Sequence, residues 1–140
     1  MIFPEEFSKC DKNQIIIVSA ENRRKHIAYN NENCKVFQYR IDGDIEPSGT
    51  SDLRCDYIIE NETKKTLYPV ELKGKDVVHA VEQISATIKK YSSIFSNYTV
   101  FPRIVCSHAT THTIHTSKVV SFKRRFPKLI IKENEINDNI

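Results

Sequence analysis

The chain has 140 residues, 39% of them hydrophobic and 28% charged, which fits one compact domain (1–140) and excludes a disordered or fibrous protein. Its net charge of +3 comes from 21 Lys and Arg against 18 Asp and Glu, too even a balance to identify a polyanionic partner. The longest aliphatic run, Ile15 to Val18, is too short to span a bilayer, and the N-terminal residues lack the pattern of a secretory signal. We therefore expect a cytoplasmic protein without a membrane segment.

The first half of the chain predicts one helix followed by three strands. Ser19 is a suitable N-cap, and apolar residues on one side of the following segment indicate a helix through Asn31. The later segments are rich in β-branched and aromatic residues, and the last two are joined by a polar turn that predicts a hairpin. The predicted elements are a helix over 19–31 and strands over 35–41, 53–60 and 66–73.

The second half predicts a long helix and then a strand, a helix and a strand. Asp76 is a suitable N-cap, and apolar residues recur after it at spacings of four and three, as on one face of a helix. A buried strand is expected over 98–106 despite Pro102, then a loop over 107–116, a helix over 117–126 and a strand over 129–132. This order predicts an α/β fold with a mixed sheet flanked by helices, in which the long helix forms a parallel crossover.

Three charged residues on the predicted hairpin share one face of the sheet. Side chains alternate along a strand, so Glu71 and Lys73 point to one side while Leu72 points to the other. Antiparallel pairing of the two strands places Asp56 near the same end as Glu71. Two carboxylates, helped by a backbone carbonyl, suit Mg²⁺, which binds a phosphate oxygen and lowers the pKa of an attacking water. Lys73 would orient or deprotonate that water.

The order of these residues resembles the PD-(D/E)XK nuclease superfamily, which has the restriction-endonuclease-like fold. Cys55-Asp56 begins one strand, Glu71-Leu72-Lys73-Gly74 lies in the next, and Gln83 follows in the long helix. The resemblance covers about 35–106. Cys55 stands where the family has proline, and Thr87 stands where some relatives have a tyrosine four residues after the glutamine.

The resemblance implies an α-β-β-β-α-β core and a metal-dependent hydrolysis of phosphodiester bonds, in DNA or alternatively in RNA. Asp56, Glu71 and the Leu72 carbonyl would bind Mg²⁺ or Mn²⁺, and Lys73 and Gln83 would complete the catalytic site. Many members also use an acid from the first helix, for which Glu21 is the candidate. A defence, repair or mobile-element system is the typical context of such a nuclease.

Two alternatives stand beside this interpretation. The charged residues can form an exposed cross-strand cluster, which contributes only about 0.2–1 kcal/mol per pair. Against this, an unpaired carboxylate at Glu71 would be costly beneath the predicted helix without a cation. A protein of the same fold that binds nucleic acid or assembles with partners, without cleavage, is the alternative function. Asp52 competes with Asp56 as the hairpin acid, and we expect Asp52 to lie in the loop.

A basic segment in the C-terminal part of the chain is the candidate surface for nucleic acid. From Ser117 to Lys128 there are five positive charges and no acid. We expect Lys118, Arg124 and Arg125, with Lys75 near the site, to contact phosphates, although a solvated face is the alternative. Because so small a domain seldom encloses a duplex alone, we expect a homodimer or one subunit of a larger complex.

The Thr- and His-rich stretch over 107–116 allows two further interpretations. The spacing of His108, His112 and His115 would suit zinc on a helix. The threonines between them favour a loop instead, and such a loop could contact a nucleic-acid backbone.

Overall fold

A computed structural model describes all residues, 1–140, and contains two β-sheets and four α-helices. A 3₁₀ turn at Glu5–Phe7 precedes them. The strands are β1 Ile16–Glu21, β2 Arg24–Tyr29, β3 Val36–Arg40, β4 Tyr57–Asn61, β5 Thr66–Lys73, β6 Thr99–Val100, β7 Arg103–Cys106, β8 Ile130–Glu133 and β9 Glu135–Asn139. The helices are α1 Val77–Lys90, α2 Ser92–Phe95, α3 Thr111–Ile114 and α4 Ser117–Arg125. None of these helices has the length and apolar character needed to cross a membrane.

The larger sheet has six strands, in the order β3-β4-β5-β7-β8, with β6 paired to β5. The strands β3, β4 and β5 are antiparallel, whereas β5, β7 and β8 are parallel. Parallel neighbours need a crossover connection, and α1 connects β5 to the β6–β7 region while α4 connects β7 to β8. The coarse prediction of an α/β fold with a mixed sheet flanked by helices is confirmed, including the parallel crossover through α1.

The main core lies between this sheet and the helices. The apolar residues of α1 are buried at helical spacing, including Val77, Val81 and Ile84, and they pack with Phe122 of α4 and with the sheet. The side chain of Asp76 accepts a hydrogen bond from the amide of His79 at 2.9 Å, so the predicted N-cap begins α1. The position of α1 over β5 is what covers the candidate site.

The smaller sheet, in the order β1-β2-β9, corrects the prediction of a helix over 19–31. This segment forms an antiparallel hairpin, and the burial of its residues alternates with the period of a strand. Ile17 and Ser19 are buried, whereas Val18 is exposed. Asn22 and Arg23 both have positive φ, the conformation of a two-residue type I′ turn. The chain therefore has no leading helix of the expected α-β-β-β-α-β order.

Four other boundaries differ from the predictions. Strand β4 begins at Tyr57 rather than at residue 53, and Pro102 divides the expected strand over 98–106 into β6 and β7. The predicted loop over 107–116 contains the short helix α3, whose N-cap Thr110 accepts a hydrogen bond from the amide of Thr113. The acidic C-terminal segment forms β9, which pairs with β2 in parallel. Pairing with a distant strand made β9 invisible to local sequence patterns.

Candidate functional site

The candidate site lies at the open end of the β4–β5 hairpin. Asp56 directly precedes β4, whose first residue, Tyr57, pairs with Val70, the residue before Glu71. The Asp56 amide donates to the Val70 carbonyl at 3.1 Å, and the Leu72 amide donates to Oδ2 of Asp56 at 2.9 Å. These two bonds fix the Asp56 carboxylate beside Glu71.

Glu71 points toward helix α1 and is nearly fully buried. Leu67, four residues earlier on the same strand, belongs to the core beneath α1, and side chains four apart share a face. Glu71 is 2% exposed, and its Oε2 atom has no hydrogen-bond partner. The pKa of Glu71 is raised to about 10, first by burial and then by the negative charge of Asp56 and a hydrogen bond between the two carboxyl groups.

The two carboxyl groups therefore behave as a coupled pair. Burial also raises the pKa of Asp56, although the hydrogen bond from the Leu72 amide opposes the shift. Two carboxylates in one low-dielectric site cannot both ionise without a compensating cation, so in the absence of one the pair holds a proton at neutral pH. A divalent cation would displace that proton.

Lys73 supplies a positive charge that acts on Glu71. It is the last residue of β5, is half-buried, and lies on the same face as Glu71. Its charge acts on Glu71 in the direction that lowers the pKa of that carboxyl, but burial outweighs it. The ammonium is therefore near the carboxylates and still reaches solvent.

Gln83 lies on α1 above the start of β4. Its Nε2 atom donates to the Arg54 carbonyl at 3.2 Å, while its Oε1 atom is buried without a hydrogen-bond partner. Thr87, one turn later, accepts from the Cys55 amide at 2.8 Å and donates to the Gln83 carbonyl at 3.0 Å. Helix α1 thus anchors the residues on the N-terminal side of Asp56.

Glu21 reaches the same region from the smaller sheet, not from a helix as expected. It ends β1 and lines a polar cleft of about 150 Å³ together with Asp56. Its negative charge is one of the causes that raise the pKa of Asp56. The other residues that line the cleft are Ala20, Arg40, Asp42 and Tyr57.

Arg54 is a structural residue of the site that the sequence did not identify. It is 6% exposed and donates from Nε and Nη2 to Oδ1 of Asp42, at 3.0 and 2.9 Å. It also donates to the Pro47 carbonyl at 2.8 Å. Arg54 therefore holds the loop that precedes Asp56, and Asp52 lies exposed in that loop, as expected. The only sequence signal was an arginine directly before Cys55-Asp56.

The donor set of the site fits a hard divalent cation. Asp56 and Glu71 provide carboxylate oxygens, and the unpartnered oxygens of Glu71 and Gln83 are buried acceptors that a cation or its water would satisfy. The structure contains no group of three or more His, Cys, Asp or Glu residues arranged to hold a metal. Beyond the two acids, the Leu72 carbonyl, as expected, or water would complete the shell.

The residues expected to bind nucleic acid do not form one surface. Lys118 and Arg125 line a groove of about 620 Å³ between α1 and α4, where Lys118 is paired with Glu82 at 2.5 Å. Arg124 lines a different groove, on the β8 side of α4. Lys75 is exposed between β5 and α1, two residues after Lys73. The structure therefore divides the predicted basic face into two.

Comparisons with protein-family models, with curated proteins and with solved structures found no significant match. Asp56 and Glu71 interact at the end of the β4–β5 hairpin, and Lys73 follows Glu71 on β5. Gln83 of α1 bonds to Arg54, two residues before Asp56, and Glu21 lines the cleft with Asp56.

Proposed function

We propose that the protein is a metal-dependent nuclease that hydrolyses phosphodiester bonds in DNA, with RNA as the alternative polymer. The main supporting observation is the pair of Asp56 and Glu71, in which burial raises the pKa of both carboxyls, one Glu71 oxygen has no partner, and Lys73 follows on the same strand. The order of these residues, followed by Gln83, resembles the PD-(D/E)XK superfamily. A buried acid pair of this kind is more typical of a functional site than of a structural ion pair.

In this proposal Asp56 and Glu71 hold Mg²⁺ or Mn²⁺, with the Leu72 carbonyl as a third ligand. The cation, when bound, supplies Lewis-acid activation of the scissile phosphate and of the attacking water. The hydrogen bond from the Leu72 amide keeps the Asp56 carboxylate oriented toward Glu71. The carboxylates that would bind the cation are thus positioned by backbone hydrogen bonds of the β4–β5 hairpin and not by a flexible loop.

The remaining residues position the reaction. Lys73, partly exposed at the mouth of the site, would donate a hydrogen bond to the attacking water and stabilise the negative charge that develops on the phosphate. Gln83 would orient that water through its unpartnered Oε1 atom, which is an acceptor. Glu21, across the polar cleft from Asp56, would add a carboxylate from the smaller sheet.

The nucleic acid would approach along the exposed cations nearest the site. Lys75 and the groove that contains Lys118 and Arg125 are the candidates, and each phosphate contact on duplex DNA contributes roughly 0.9 to the salt-dependence slope. Replacing Lys118 and Arg125 with Gln should therefore flatten that slope as well as weaken binding. In the cell we propose a cytoplasmic homodimer, or the cutting subunit of a defence, repair or mobile-element complex.

The direct test is cleavage of plasmid and single-stranded DNA in the presence of Mg²⁺ or Mn²⁺. We expect cleavage by the wild-type protein, and loss of both cleavage and calorimetric Mn²⁺ binding in Glu71→Ala. Glu6→Ala is the matched control, because Glu6 is an exposed carboxylate far from the hairpin in sequence. Cleavage that persists in Glu71→Ala at the wild-type rate would exclude this site as the nuclease centre.

One observation favours a second candidate function, a nucleic-acid-binding or assembly protein without catalysis. Glu71 is 2% exposed, and no third His, Cys, Asp or Glu completes its surroundings. A permanently protonated pair would be a structural hydrogen bond rather than a cation site. DNA binding without detectable Mn²⁺ binding at pH 8 would support this alternative over the nuclease.

A further inference from the structure

Strand β8 is the terminal strand of the six-stranded sheet. The Ile130 amide donates to the Pro102 carbonyl, and the Asn134 amide donates to the Cys106 carbonyl, so alternate residues of β8 face β7. The backbone groups of Ile131 and Glu133 consequently point away from β7, where no other strand pairs with β8. Such an open edge is a template for another extended segment.

An apolar groove of about 520 Å³ lies beside this edge, between β8 and the helices α3 and α4. Ile114 at one end and Ile130 at the other are 36% and 38% exposed, which is high for isoleucine. The groove is thus a concave apolar surface next to unpaired backbone groups. Its apolar lining residues are Ile114, Val119, Val120, Leu129, Ile130 and Ile131.

The polar residues of the groove are basic. His115, Lys123 and Arg124 line it, and no acidic residue does. Lys123 donates to the Leu129 carbonyl at 2.6 Å, which holds its ammonium at the groove wall, and Lys132 of β8 is exposed. The one acid of β8, Glu133, accepts a hydrogen bond from the Ala109 amide at 3.0 Å and is thereby directed to the loop before α3.

We propose that this edge and groove bind an extended acidic segment of a partner protein, which adds to the sheet as a strand beside β8. On the α4 side of β8, apolar side chains of the segment would enter the groove and carboxylates beside them would face Lys123 and Arg124. On the opposite face of the added strand, carboxylates would face Lys132. A second copy of this chain fits less well, because two-fold pairing of β8 edges would bring these cations against each other. The proposal does not depend on the nuclease activity.

The test uses a short fluorescent peptide in which pairs of Asp and pairs of Val alternate, so that each face of the strand carries both residue types. The version with Lys in place of Asp is the charge control. Fluorescence anisotropy should show binding of the acidic peptide at concentrations below about 1 mM and much weaker binding of the basic one. Arg124→Glu should weaken binding about tenfold or more, whereas Arg125→Glu should change it less than about twofold. These adjacent arginines are a matched pair because Arg125 lines the other groove.

A second pair of variants tests strand addition itself. Ile131→Pro removes one amide that points away from β7 and should retain the bonds to β7, whereas Ile131→Ala shortens the same side chain and keeps the amide. We expect Ile131→Pro to bind the acidic peptide about tenfold more weakly than Ile131→Ala. Equal affinities of these two variants, equal effects of the two arginine variants, or absence of binding by the wild-type protein would each overturn the proposal. Light scattering that shows a dimer broken by Ile131→Pro would also overturn it, in favour of a second copy.

Discussion

Two carboxylates, the partly buried Asp138 and the buried Glu71, lie in opposite electrostatic environments of the same molecule. Asp138 is on β9, at the contact between the two sheets, and Glu71 is on β5 beneath α1. Both lose water on folding, which disfavours the ionised form of each. What differs is the set of donors that each carboxylate meets.

The negative charge of Asp138 is compensated by two neighbouring side chains, those of His26 and Arg103. Its Oδ2 lies 2.8 Å from Nε2 of His26 and accepts from Nε of Arg103 at 2.8 Å, while Oδ1 accepts from Nη2 of Arg103 at 3.0 Å. Burial raises the pKa of Asp138, but the hydrogen bonds from His26 and Arg103 outweigh it and lower the pKa to about 2. Because His26, Asp138 and Arg103 come from β2, β9 and β7, this cluster joins the small sheet to the large one.

Glu71 has no such compensation. The charge that acts most strongly on Glu71 is that of another acid, Asp56, and the positive charge of Lys73 does not offset the burial. A fold gains no stability from an uncompensated carboxylate, since a leucine or glutamine of similar size would cost less. The comparison teaches that burial alone does not decide whether a carboxylate is charged, because the donors around it do.

The largest expected effect is on catalysis at Lys73. Its ammonium should act mainly as negative charge develops during attack, so Lys73→Met should reduce cleavage by about 10³-fold, roughly 4 kcal/mol, with little effect on DNA affinity. Glu71→Ala should differ by losing the cation as well, because only the carboxylate supplies a ligand oxygen. Single-turnover cleavage and Mn²⁺ calorimetry distinguish the two variants. Full cleavage by Lys73→Met would make this lysine structural.

The next effect is on folding stability and distinguishes the two carboxylates directly. Asp138→Asn leaves the buried Arg103 without its ion-pair partner and should cost about 3 kcal/mol of unfolding free energy. Glu71→Gln replaces a neutral acid with a neutral amide and should change stability by less than about 1 kcal/mol. Urea unfolding followed by circular dichroism measures both. Similar losses in the two variants would mean that Glu71 is compensated after all.

The pH dependence of stability should have opposite signs at the two carboxylates. The depressed pKa of Asp138 contributes stability that is present above about pH 4 and lost as the pH falls toward 2. The raised pKa of Glu71 acts in reverse, because its protonated form is favoured in the folded state. That contribution is full below about pH 4.5 and decreases as the pH rises toward 10, by up to about 1.4 kcal/mol per pH unit.

The sign of the pH dependence that Glu71 contributes to the unfolding free energy can be measured with and without a divalent cation. In EDTA, the unfolding free energy of the wild type should decrease from pH 6 to pH 9 more steeply than that of Glu71→Gln. Adding Mg²⁺ at pH 9 should restore stability to the wild type alone, since binding to the folded state stabilises it by mass action. Parallel pH profiles of the two proteins would show that Glu71 does not titrate in this range.

The sequence predicted the helices and strands that are specified by patterns among residues close together in the chain. The β4–β5 hairpin and α1 follow from alternation, a polar turn and an N-cap at Asp76, and they were sufficient to bring Asp56 close to Glu71. The predicted helix over 19–31 was wrong. Ser19 is a suitable helix N-cap, but the turn at Asn22 and the alternating burial of the following residues depend on the pairing of β1 with β2.

Long-range contacts account for the rest. The partnership of His26, Arg103 and Asp138 joins positions that are far apart in the chain, and nothing local marks them as neighbours. Glu21 was selected as an acid on a predicted helix, but it lines the cleft from the end of strand β1. In the sequence Arg54 resembles an ordinary surface arginine, because its partners, Asp42 and the Pro47 carbonyl, are set by the folded loop.

The smallest expected effect concerns Asp52, four residues before Asp56 in the same segment. Asp52 is exposed in the loop, and only its carbonyl takes part in a bond, a weak one from Arg54 at 3.4 Å. Asp52→Asn should therefore change unfolding free energy by less than about 0.5 kcal/mol and leave Mn²⁺ binding unchanged. Asp56→Asn removes a charge that faces Glu71 and should lose that binding. Because the two substitutions are chemically identical, their difference in calorimetry measures position alone, and equal losses would assign the cation to both acids.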